Sequence, residues 1–151
     1  MNKVPIEQHF SFRPVNIKVS FSDGSSQFLT NEGNCRLPRI SARGEIGWLR
    51  LDKTGVDLQR QTRQKSRGID AVVVRLRNGT VKEFMPDEEF AFIGDWKFAD
   101  RGKSIVIQSS GHHGPRTYWR FDLQTGVMKD SIETYVPYEQ LPHWAKPIAE
   151  R

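Results

Sequence analysis

Apolar and polar residues alternate along several short runs of this chain. They are clearest at Ile17-Lys18-Val19-Ser20-Phe21, Ser104-Ile105-Val106-Ile107 and Tyr118-Trp119-Arg120-Phe121-Asp122-Leu123, with Ala71-Val72-Val73-Val74-Arg75-Leu76 as an almost continuous apolar run. A period of two marks strands with one face turned to a core. Between the runs stand Asp23-Gly24, Thr54-Gly55, Asn78-Gly79, Arg101-Gly102 and Thr125-Gly126, pairs that suit tight hairpin turns because glycine supplies a positive φ. At least five hairpins are predicted. Helix is scarce, because Pro137, Pro142 and Pro147 confine Glu139 to Leu141 and Trp144 to Lys146 to single turns.

The turn spacing repeats. Gly55 to Gly79 and Gly102 to Gly126 are both 24 residues, and a shift of 47 superposes the second pair on the first. The same shift sets Val74-Arg75-Leu76-Arg77-Asn78-Gly79 over Phe121-Asp122-Leu123-Gln124-Thr125-Gly126, and, with one residue inserted, the segment opening at Trp48 over that opening at Trp96. Val19 to Gly24 is a further copy of the second hairpin. About two and a half units result, each reading strand, turn, strand, loop, strand, turn, strand. The expected organisation is one all-β domain spanning residues 1–151: a half unit at 15–30, unit one at 35–85, unit two at 90–133 and a tail at 134–151.

The second unit, from Asp95 through Thr125-Gly126, resembles a β-propeller blade of the WD40-like or TolB-like kind. The resemblance implies antiparallel four-stranded sheets. Propellers close with at least four blades, more than this chain supplies. The expected closures are therefore two sheets packed as a sandwich, a bent sheet closed as a barrel, or a ring completed by several copies. Trp48, Trp96 and Trp119 precede a turn glycine by six or seven residues, which suits repeated core positions. Trp144, in the proline-rich tail, is the tryptophan expected to meet a partner.

Composition narrows the class. Of 151 residues, 36% are hydrophobic and 27% charged, which suits a folded chain rather than a disordered one. No stretch approaches the roughly 20 apolar residues of a membrane span, and residues 1–10 lack the apolar run of a secretory signal. The expected location is the cytoplasm, with no membrane partner. Cys35 is the one cysteine, so no disulfide forms within the chain, and packing is the plainer role for it than nucleophilic catalysis.

The net charge of +5 favours polyanionic partners only mildly. Its densest part is the loop at residues 57–70, where Arg60, Arg63, Lys65 and Arg67 stand without an acid from 60 to 67. Shifted by 47, that loop corresponds to residues 110–117, which carry His112, His113 and Arg116. The two loops are expected to share one edge and to form a basic rim able to bind phosphate oxygens. Solvated polar loops collect the same residues. His112-His113 does not suggest a metal, since adjacent strand residues point to opposite faces and no third ligand stands at ligand spacing. The acids Asp87, Glu88 and Glu89, with Asp95 and Asp100 beyond them, suit a solvated connection better than an acid-base pair. No phosphate-cradling glycine loop, dinucleotide fingerprint or nucleophile elbow occurs, so no cofactor and no catalytic residue is assigned. The expected function is a non-catalytic interaction module that holds a protein partner or its own copies. The alternative is a binder of phosphate-rich ligands or nucleic acid through the basic rim.

Overall fold

A computed structural model describes residues 5–6, 16–51, 70–87, 92–110, 116–133 and 136–149. The described chain is all-β, with helix confined to two 3-10 turns. Three antiparallel sheets follow one another along the sequence. The first contains β1 (Pro5–Ile6), β2 (Lys18–Phe21) and β3 (Ser26–Phe28). The second contains β4 (Cys35–Ile40), β5 (Ile46–Arg50), β6 (Ala71–Arg75) and β7 (Val81–Phe84), and the third contains β8 (Phe92–Ala99), β9 (Ser104–Ser110), β10 (Arg116–Asp122) and β11 (Met128–Glu133). Each is an open meander with sequential strands paired, so none closes as a barrel.

The sheets stack face to face in chain order, and the side-chain alternation shows why. From β5 and β6, Leu49, Val72 and Val74 join Ile105, Ile107, Trp119 and Phe121 of the third sheet in the main core. On the opposite face of the same strands, Trp48 and Val73 join Ile17 and Val19 of the first sheet. A sheet covered on both sides needs apolar residues at both parities, which accounts for the unbroken run Ala71 to Val74, none of it more than 4% exposed. The third sheet repeats the scheme. Val106 and Tyr118 point away from the main core and are covered by Leu141, Ala145 and Ile148 of the C-terminal tail.

Two differences from the sequence reading have local causes. The turn before the second strand of the middle sheet is at Ala42-Arg43-Gly44, so the counterpart of Gly102 is Gly44 rather than Gly55. Thr54-Gly55 lies outside the described residues. Gly79 and Gly126 do end equivalent strands, β6 and β10. The shift of 47 therefore holds for the second halves of the units but not the first: Trp48 lies on a second strand and Trp96 on a first. Strand β4 escaped the periodicity because it carries Pro38 and a register shift between Arg36 and Arg39, which breaks its alternation.

That irregularity joins the two complete sheets. Inside it Leu37 adopts a φ of 53°, a conformation costing a non-glycine residue roughly 1–2 kcal/mol. Its carbonyl accepts the indole Nε1–H of Trp96 at 2.8 Å. Arg39 donates from Nε to the Trp96 carbonyl at 2.7 Å and from Nη2 to Asp95 Oδ1 at 3.0 Å. The fully buried Trp96 ring rests on Gly47, where an added Cβ would meet its Cη2 at 2.4 Å.

Candidate functional site

The β4–β5, β6–β7, β8–β9 and β10–β11 turns gather at one end of the stack, around a cavity of about 300 Å³. In the middle sheet the turn between β4 and β5 is stapled by Ser41. Its Oγ accepts the amides of Arg43 and Glu45 at 3.2 and 3.0 Å and donates to Glu45 Oε1 at 2.9 Å. The turn between β6 and β7 is closed by the Gly79 amide on the Leu76 carbonyl at 2.9 Å and by Asn78 Oδ1 accepting the Thr80 amide at 2.9 Å. These bonds bring Arg43, Glu45, Leu76 and Arg77 to the rim and wall of the cavity.

The third sheet supplies the other wall through Gly102, Leu123 and Gln124. Asp100, Arg101 and Gly102 take φ values of 51°, 57° and 86°, three consecutive left-handed residues. Such backbone is costly for the two that are not glycine and keeps the turn between β8 and β9 tight. The Arg43 stem lies over Gly102, whose missing Cβ would stand 3.6 Å from Arg43 Cγ and Cδ. In the adjoining turn the Thr125 backbone amide bonds Asp122 Oδ1 at 2.8 Å and holds that carboxyl below its ordinary range.

The electrostatics of the cavity are uneven. Glu45 is only 6% exposed, and beyond the Ser41 hydroxyl its carboxylate makes no other hydrogen bond or ion pair among the described residues. Arg43 and Arg77 are exposed and likewise have no ion pair among the described residues. The cavity thus joins one recessed carboxylate, two apolar walls from Leu76 and Leu123, and two guanidinium groups at the mouth.

Of the residues expected to form a basic rim, Arg116 alone is among the described residues. Arg60, Arg63, Lys65, Arg67, His112 and His113 fall outside the described residues. Arg116 is exposed and opens β10, at the end of that strand away from the cavity. Asp95 and Asp100 form no pair with each other: Asp95 binds Arg39 and Asp100 binds Arg120 at 3.5 Å. Cys35 is buried among Ile17, Val19, Ile46 and Trp48, and burial pushes its thiol up. Trp144 is half-buried on the tail, with the Arg120 guanidinium 5.5 Å from its ring. Among the described residues, no three His, Cys, Asp or Glu side chains are grouped to hold a metal, and no helix is long and apolar enough to cross a membrane. Sequence reading missed the cavity because β4 does not alternate, which hid the Arg43-Gly44 turn and left Glu45 without a local signal.

No known family profile matches the sequence, and no curated protein matches it. Among solved structures the chain is similar to the β-propeller domain of the Trilobed protease from Pyrococcus furiosus, described as having an open velcro topology. The TM-score is 0.57 at 16% identity, over 79% of this chain and 34% of that one. The chain thus spans about a third of the propeller it matches, and at this identity the likeness shows the fold alone. Its antiparallel four-stranded sheets are blade-like, in agreement with the repeats read from the sequence.

Proposed function

We propose that this chain is a non-catalytic interaction scaffold that engages a polypeptide partner at the turn end of its two complete sheets. The observation that carries the reading is the cavity itself, walled by turns from both sheets. Stacked blade-like sheets hold those turns rigidly, and Arg43 and Arg77, with no ion pair among the described residues, give the mouth a charge that a partner can match. The partner is another protein or a second copy of this chain, met inside the cell.

Affinity capture compares the wild-type protein, an Arg43→Glu/Arg77→Glu variant and a Phe28→Ser variant, the last altering a side chain that is 66% exposed on the first sheet. Partners retained by wild type and Phe28→Ser but lost from the double variant support the scaffold reading. An identical set of partners on all three proteins overturns it.

A further inference from the structure

We propose that the cavity receives a basic side chain, arginine or lysine, from a partner segment in which acidic residues flank it. The inference rests on the scaffold reading and names what that site binds. It starts from Glu45. An ionised carboxylate accepts at both oxygens, with about four lone-pair sites, so one served by a single protein donor keeps acceptor capacity for a ligand. Here Ser41 serves one oxygen, the residue is 6% exposed, and the other oxygen is open to solvent and reached by no cation of the described residues. Even Arg43, two residues away, directs its stem across Gly102 and forms no ion pair with Glu45. An incoming guanidinium or ammonium would supply the missing donors through a charge-assisted bond.

Size and lining agree. About 300 Å³ lies at the low end of ligand pockets and suits one long side chain rather than a cofactor. Leu76 and Leu123 flank the space that the aliphatic stem of such a side chain would occupy while its charged head reaches the carboxylate. Arg43 and Arg77 at the mouth repel a bare polycation, so acceptance requires acids beside the basic residue. That arrangement gives the site discrimination as well as attraction.

Amide chemical-shift titration of the full chain with three peptides tests the proposal: Ac-Glu-Arg-Glu-NH2, its glutamine analogue Ac-Glu-Gln-Glu-NH2, and Ac-Glu-Glu-Glu-NH2. Saturable shifts at Glu45, Gly102 and Leu123 with the arginine peptide, weakened about tenfold or more in the glutamine analogue and in the Glu45→Gln variant, are expected. An all-acidic peptide that binds as well as the arginine peptide, or arginine-peptide shifts unaltered by Glu45→Gln, overturns it. Arg43→Glu, an exposed change that spares the buried carboxylate, provides the second arm. It should turn the preference toward Ac-Lys-Arg-Lys-NH2, and an unchanged preference counts against the proposal. If affinity capture still depends on Arg43 and Arg77 while Glu45→Gln is without effect, the scaffold reading survives and this one fails.

Discussion

Glycine 47 has no side chain because the Trp96 ring occupies the space one would need. An Ala Cβ would stand 2.4 Å from Cη2 of a fully buried indole that is also tied to the Leu37 carbonyl. Neither partner can yield cheaply, since the ring is walled by both sheets. Gly47→Ala should therefore destabilise the protein by about 1–3 kcal/mol, read as a lower urea midpoint at unchanged slope. An unaltered midpoint would mean that the ring does not rest on β5. Sequence inspection marks Trp96 as a core residue from its place before a turn glycine, but offers no hint that Gly47 is its seat. That pairing joins positions 49 residues apart on different sheets, and strand periodicity carries no information about contacts across a sheet interface.

At the scale of elements, the irregular β4 shows how a weak strand can hold two sheets together. Its register shift and the left-handed Leu37 remove the alternation by which strands are recognised. The same features free a carbonyl and aim Arg39 at β8. Arg39→Ala removes two charge-assisted bonds from groups about 30% exposed, so the expected loss is about 1–2 kcal/mol, smaller than for a fully buried pair. Thermal unfolding checks it: a fall of several degrees is expected, and no fall would assign the sheet junction to apolar packing alone. The strands that were legible beforehand, β2, β6, β9 and β10, are those whose apolar positions face neighbouring sheets in strict order. The turns after Asp23, Asn78, Arg101 and Thr125 were legible for a local reason, since glycine there sits at a φ between 74° and 89°.

At the scale of the molecule, the tail is the element whose role changed most. Leu141, Ala145 and Ile148 cover Val106 and Tyr118, while Arg120 lies against Trp144 and Lys97 Nζ donates to the Pro147 carbonyl at 2.7 Å. The tail therefore covers the outer face of the third sheet, the face on which a further blade-like sheet would stack. Removing residues 137–151 should lower stability by about 3 kcal/mol, from the apolar surface that it uncovers. The bared sheet should also self-associate, which light scattering after size-exclusion chromatography would show as a mass above that of one chain. A monomer of unchanged stability would leave the tail without a capping role. Trp144, expected from the sequence to meet a partner, is half-buried on this tail beside Arg120.

Alternation and turn chemistry determined on their own that this chain forms antiparallel strands in repeated hairpins, because both signals act over two to six neighbouring residues. Which glycine begins which repeat was decided only when β4 took its place beside β8. The cavity was decided there too, since its walls come from turns separated by about eighty residues at most and its recessed acid resembles any surface glutamate until the third sheet packs against its own. Local sequence sets the pleat and the turn; burial, and with it the meaning of a charge, comes from what is stacked on top.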